Sequence, residues 1–126
     1  MPIVPTRPEE LHPALVAAYN AGDLEGMLAL YDPKATFVIK PGRITDGPAE
    51  LRTALGRLIQ TRGRLTVRPD SFVRSNDVVL VLGNYTHTGH RRNGTPFAIE
   101  SRFADVLRRQ ADGRWLIAVD NGFNAE

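Results

Sequence analysis

From residue 65 to residue 123 the chain is a succession of long apolar-rich runs separated only by turn residues, and this half of the sequence constrains the fold most. Residues 65–73, 78–88, 97–108 and 115–123 each read as a strand. Asn93-Gly94 between the second and third runs is a strong hairpin signal. Ala111-Asp112-Gly113 makes a second tight connection before the last run. Pro69 interrupts the first run, which marks an edge strand or a bulge. Strands this long in a small domain must twist and bend, so the expected sheet is strongly curved and mostly antiparallel.

The N-terminal half reads differently. Leu11, Ala14, Leu15, Ala18 and Tyr19 recur at helical spacing between Pro8 and Ala21. Thr6 and Glu9 have capping-box spacing, and Pro13 moves the start of the regular helix to about His12. Gly22 stops this helix, and Asp23 caps a second one over residues 24–31, whose stripe is Leu24, Met27, Leu28 and Tyr31. Residues 35–40 form a strand. Asp46 and Pro48 then open a third helix with Leu51, Ala54, Leu55 and Leu58 inward, ending near Gly63. Helices followed by strands define an α+β domain, with the helices closing the concave side of the sheet.

The 126 residues fit a single domain spanning 1–126, large enough for one core and one pocket. The absence of cysteine removes disulfides, thiolate metal sites and a thiol nucleophile. The formal charge of +2 is spread over scattered arginines without a basic stripe, so no nucleic-acid partner is expected. Nothing resembles a leader or a membrane span, and we expect a cytoplasmic protein with no membrane partner.

Chemistry-bearing residues concentrate on the strands. Alternation puts Phe97, Ile99, Ser101, Phe103, Asp105 and Leu107 on one face, apolar except for Ser101 and Asp105. A carboxylate on an apolar face either finds a partner or is pushed toward its neutral form. Glu100 and Arg102 lie opposite and read as structural, pairing across strands or across a dimer. Asn84 and Thr86 share a face with Leu80 and Leu82, a pattern that fits either a pocket with orienting hydrogen bonds or a strand emerging into solvent. Tyr19 packs in the core and can also present its phenol. Asp120 and Asn121 close the last strand, where both faces are apolar; alternation leaves the orientation open, and we take Asp120 as the inward residue. His87 and His90 fall on opposite faces and His12 reads as a surface residue, so no metal site and no cofactor are expected.

Ala18-Tyr19-Asn20-Ala21-Gly22-Asp23-Leu24-Glu25, then Leu28-Ala29-Leu30-Tyr31 and Ala35-Thr36-Phe37, resemble the opening of SnoaL-like and ketosteroid-isomerase-like proteins of the nuclear-transport-factor-like superfamily. Asp105-Val106-Leu107-Arg108-Arg109, Asp112-Gly113-Arg114-Trp115 and Asp120-Asn121 resemble a bacterial branch of the same group. The resemblance implies a cone-shaped sheet, a central pocket and a homodimer. It sets Leu15 at the position of the isomerases' tyrosine oxyanion donor and Ile39 at that of their general-base aspartate. Neither aliphatic side chain can move a proton, so steroid-type isomerase activity is not expected. Of the family's oxyanion pair only the aspartate has a counterpart, Asp105. The same comparison turns Asn84, Thr86 and Asp120 inward.

Together these readings point to a protein that holds a small, largely apolar organic molecule. Asp105 and Asp120 are the candidate acid–base pair, of isomerase, cyclase or dehydratase type, and Tyr19, Asn84, Thr86 and Ser101 the candidate ligand contacts. The alternative is a non-catalytic binding or dimeric interaction module. Asp105→Leu is expected to fold and even to gain stability, and the apolar strand 115–119 is expected to drive dimerisation.

Overall fold

The computed structural model describes residues 4–123. A 3-10 turn at Pro8–Glu10 leads into α1 (Leu11–Asn20). Pro13 is the third residue of α1, where a helix has no internal acceptor for a backbone N–H, so the missing donor costs the helix nothing there. The N-terminal cap uses Glu10 rather than Glu9: its carboxylate accepts the Thr6 backbone N–H at 2.9 Å, while Glu9 pairs with Arg74. At the other end Gly22 takes φ +69°, and the N–H groups of Gly22 and Asp23 donate to the carbonyls of Tyr19 and Ala18 at 2.9 Å. This reciprocal pair closes the helix and needs a residue free to enter the left-handed region.

Asp23 caps α2 (Leu24–Leu28) by accepting the Gly26 N–H at 2.9 Å. α2 ends before Tyr31, contrary to the helical expectation for residues 24–31. Pro33 disfavours helical backbone in the residue ahead of it, and the chain leaves α2 into β1 (Tyr31–Lys40). A short β2 (Arg43–Ile44) returns antiparallel. α3 (Gly47–Gln60) follows, and Asp46 precedes it as expected, though its side chain makes no cap; its backbone N–H donates to Glu50 Oε1 instead.

β3 (Arg64–Ser75), β4 (Val78–His90), β5 (Pro96–Arg109) and β6 (Trp115–Asp120) complete one sheet, ordered β2-β1-β6-β5-β4-β3. Every pairing is antiparallel except β1 with β6. The architecture is therefore the α+β cone, a curled sheet closed by three helices. β3 is an edge strand with a bulge between Pro69 and Ser71, where proline cannot donate to a ladder. The β4–β5 hairpin turns through Arg91–Thr95 with Gly94 at φ +90°.

The core lies between the helices and the inner face. Leu11 and Leu55 meet Val79, Val81, Leu107 and Ile117, all with essentially no exposed surface. Trp115, Leu116, Ile117 and Ala118 are buried within the single chain. That removes the reason for expecting β6 to drive dimerisation. Among the described residues no helix is long and apolar enough to cross a membrane.

Candidate functional site

The helices do not fill the cone completely. A cavity of about 690 Å³ remains, walled by aliphatic and aromatic side chains and by a polar minority of its surface to which Arg43, Glu50, Arg57 and Glu100 belong. Leu15 and Ile39 both line it. The inner face of the long hairpin supplies its floor. Tyr85 and His87 of β4 face the same side as their cross-strand partners Ser101 and Ile99 of β5.

Asp105 is buried on this floor, as alternation indicates. Its Oδ2 lies 2.7 Å from His12 Nε2, and its Oδ1 accepts the Asn121 backbone N–H at 3.0 Å. His12 is only 2% exposed, its ring 5.0 Å from that of Phe103, so the expectation of a surface histidine is corrected. His12, Leu15 and Tyr19 form one stripe of α1 at i, i+3 and i+7, and that stripe faces the cavity. His12 Nδ1 is buried without a hydrogen-bond partner among the described residues.

Asp120 also lines the cavity. Regular alternation from Ile117, which is fully buried opposite Leu107, would turn Asp120 outward. A bulge prevents this: Leu107 pairs with Ile117 but Val106 pairs with Val119, so β6 carries one extra residue at Ala118. The extra residue flips the parity of everything beyond it. The Tyr31 hydroxyl donates to Asp120 Oδ2 at 2.5 Å. Burial pushes the Asp120 carboxyl up to about 8, the negative charge of Asp105 adds to the rise, and the Tyr31 hydrogen bond opposes both. Tyr31 itself is raised well above the ordinary phenol, by burial first and then by the two carboxylates.

At the other end of the α1 stripe the Tyr19 hydroxyl sits 2.7 Å from His87 Nε2, and 2.9 Å from both Thr61 Oγ1 and the Leu58 carbonyl. Burial lowers the His87 imidazole and raises the Tyr19 phenol. Tyr85 lies between the two ends, its hydroxyl donating to the Gly122 carbonyl at 2.8 Å. Burial raises this phenol too, a hydrogen bond with Ser101 opposing.

Asp105, Asp120, Tyr19 and Ser101 therefore meet in one cavity. Asn84 and Thr86 do not. They sit on the outer face, in register with Arg102 and Glu100, and the Arg102 guanidinium donates to Asn84 Oδ1 at 2.9 Å and to Asp70 at 3.2 Å. Their assignment as ligand contacts is corrected: β4 has valine or leucine on both faces before Gly83, and hydropathy alone cannot choose between them. Gly83 and Gly89 were the usable signal. A Cβ on Gly83 would lie 2.3 Å from the Arg68 carbonyl and 2.9 Å from Phe103, which marks the crowded inner face. Sequence reasoning also missed Tyr31, His87 and Tyr85 as cavity residues. The odd-numbered parity shared by Gly83, Tyr85, His87 and Gly89 would have found the last two.

The SnoaL-like domain family matches residues 13–117. Solved structures with the same fold include a ketosteroid isomerase-like protein from Erwinia carotovora atroseptica, at 22% identity and TM-score 0.76, covering 89% of this chain and 88% of that one. A nuclear transport factor 2-like superfamily protein from Salmonella enterica matches at 16% identity and TM-score 0.77, covering 89% and 84%. A conserved protein from Planctomyces limnophilus matches at 18% identity and TM-score 0.78, covering 89% and 88%. At these identities the structures speak for the fold alone. No curated protein matches the chain. Built on the nuclear-transport-factor-like cone and matched over most of its length, this chain belongs to the SnoaL-like domain family.

Proposed function

We propose that the cavity binds a small, largely apolar organic carbonyl compound and carries out acid–base chemistry on it, of the isomerase, cyclase or dehydratase type. The observation that carries this reading is Asp120, a carboxyl at an apolar cavity with one oxygen held by Tyr31 and a pKa of about 8. At neutral pH it is a carboxylic acid, with its own O–H free to donate to a ligand carbonyl. Asp105, whose oxygens face His12 and the Asn121 N–H, is the acceptor of the pair. In the proposed step Asp120 gives its proton to the carbonyl oxygen while Asp105 takes a proton from the adjacent carbon. The C–H pair becomes the enol C=C as the C=O π pair takes the Asp120 proton. In a carbonyl compound that also carries a neighbouring C=C, Asp105 returns its proton to the far carbon of the conjugated enol. Asp120 meanwhile recovers the hydroxyl proton and the C=O re-forms, so that the carbon–carbon double bond has moved. No cofactor enters this scheme. Ile39 and Leu15 in the wall keep steroid-type isomerisation outside the expectation.

The test uses 4-acetylbiphenyl as an apolar ketone. Its affinity should fall about tenfold or more as pH rises from 7 through 8 to 9.5, because Asp120 loses the proton it donates. The groups facing Asp120 from the packed elements are Tyr31, Tyr85 and Asp105, with His12 behind Asp105. Both tyrosines are raised and stay neutral over this range. Asp120→Asn should remove the pH dependence. In D₂O the wild-type protein should also speed deuteration of the acetyl methyl group, and Asp120→Asn should not. A second reading, a non-catalytic binder, draws on the engagement of both Asp105 oxygens. Binding with the stated pH profile and no accelerated deuteration would select it. Absence of ketone binding would defeat both readings for this ligand class.

A further inference from the structure

The polar cluster of Tyr19, Thr61 and His87 is unused by the acid–base pair, and its proton count fixes what His87 can offer. Tyr19 and Thr61 each own one hydroxyl proton, and the Leu58 carbonyl owns none. Four contacts must be served: Tyr19 with Leu58, Thr61 and His87, and Thr61 with Leu58 at 2.6 Å. If His87 Nε2 is bare, two protons serve the four contacts. If Nε2 carries a proton, three contacts are made: His87 to Tyr19, Tyr19 to Leu58 or Thr61, and Thr61 to Leu58. A buried cluster favours the arrangement with fewer unmet contacts. Burial also keeps His87 in its neutral form. A neutral ring protonated at Nε2 has a lone pair at Nδ1.

The ring cannot easily turn to hide that lone pair. Tyr19 and Phe97 pack edge-on against it, with centroids 5.3 and 5.1 Å away. Gly63 leaves the space for this arrangement, since a Cβ there would lie 3.0 Å from Nε2 and 2.8 Å from the Tyr19 hydroxyl. Nδ1 has no partner among the described residues, and His87 lines the cavity while being 8% exposed. Its distance from the carboxyl end is bracketed by α1 and the sheet. His12, bonded to Asp105, and Tyr19, bonded to His87, are seven residues apart on one stripe, roughly 10 Å at 1.5 Å per residue, while His87 is six β4 positions from Val81, the residue opposite Asp105, roughly 20 Å at about 3.3 Å per residue. A ligand bonded at both ends spans the anchor separation less two hydrogen bonds of about 3 Å, which leaves about 10 Å in the middle of that bracket.

We propose that His87 Nδ1 is a second ligand anchor, a hydrogen-bond acceptor, so that the cavity selects elongated molecules with a carbonyl at the Asp120 end and a hydroxyl or N–H donor about 10 Å away. This rests on the carbonyl-binding reading above and adds the ligand's length and its distal group. The probe pair is 4-acetyl-4′-hydroxybiphenyl and 4-acetylbiphenyl, which differ only in the terminal hydroxyl. Calorimetry at pH 7 should show the hydroxylated probe binding about tenfold more tightly to the wild-type protein, a difference of about 1.4 kcal/mol. His87→Phe keeps an aromatic ring between Tyr19 and Phe97 and should erase the preference, so that the two probes bind the variant alike; a preference that survives in this variant would overturn the inference. Long-range ¹H–¹⁵N correlation spectra of ¹⁵N-histidine-labelled protein should show His87 protonated at Nε2, and Nδ1 shifting when the hydroxylated probe is added. Equal binding of the two probes to the wild type would overturn the inference and leave the carbonyl-binding reading intact. A proton on Nδ1 in the free protein would overturn it whether or not either probe binds, and failure of both probes to bind would overturn the ligand geometry and the carbonyl-binding reading together.

Discussion

Asp120 ties the site to the stability of the whole chain through its proton. Its folded pKa of about 8 lies above the ordinary carboxylate value of 3.8, so between those pH values the folded state holds a proton that the unfolded state has released. Its contribution to stability then falls as pH rises from about 4 to about 8, by about 1.4 kcal/mol per pH unit at the steepest, and levels off above. Asp120→Asn should flatten this slope, so its advantage over wild type grows across the same window; urea unfolding at several pH values measures it. Asp105 behaves in the opposite sense to the sequence-based expectation. Removing its carboxylate strands His12 Nε2 and the Asn121 N–H, two groups paired at 2.7 and 3.0 Å. Asp105→Leu should therefore cost about 3 kcal/mol or more rather than gain stability. His12→Phe with Asp105→Leu should cost clearly less than the sum of the single changes, because it leaves no unpaired imidazole beside an apolar residue. An additive double mutant would deny the coupling of the two side chains.

At the scale of elements, the glycines separate what crowds the site from what does not. Gly83 lies where β4 crosses the β3 bulge, and a methyl group there would meet the Arg68 carbonyl and Pro69 Cα at 2.3 and 2.7 Å. Both are backbone atoms that cannot swing aside. Gly83→Ala should cost about 1–3 kcal/mol. Gly56, inside α3, meets only a Leu24 methyl at 3.9 Å, so Gly56→Ala should stabilise by about 0.5–1 kcal/mol through helix propensity. Denaturant midpoints of the two variants check both signs. The same contrast explains what was legible in the sequence. Helical stripes, caps and turn residues are local patterns, and they located α1, α3 and all four long strands; β5 alternation placed Asp105 correctly because its two faces differ sharply in polarity. β4 lacks that contrast, which is how Asn84 and Thr86 were turned the wrong way. The inward aim of Asp120 depends on an extra residue at Ala118, a feature of pairing with β5 that no periodicity within β6 contains. His12, Tyr31 and His87 acquire their roles only from partners 68 to 93 positions away.

For the whole molecule, the outer face of the sheet is where we expect copies of the chain to meet. With residues 115–118 of β6 covered inside one chain, the outward apolar surface of the long strands lies on β3, β4 and β5 and on Val119 at the end of β6. Val73, Leu80, Val106 and Val119 form one cross-strand row, and Leu82 and Ala104 stand beside it. Val73 is 54% exposed, and the other five are half-buried rather than covered. The row is bordered by Arg68, Asn84 and Arg102, where the Arg102–Asp70 pair neutralises charge. A patch of this composition, apolar at its centre and polar at its rim, is the pattern of an isologous interface. Burying it would be favourable at about 25 cal/mol per Å² of apolar surface. The cavity opens on the opposite face, so pairing through this patch would leave the site free in each copy. We expect a homodimer at micromolar concentration by sedimentation. Val106→Lys, at the middle of the row, should give a monomer with unchanged circular dichroism and unchanged ketone binding, because a lysine can reach water from a strand face but not from the centre of a dimer. A wild-type monomer at micromolar concentration, or a Val106→Lys protein that remains dimeric, would show that this face is not where copies of the chain associate.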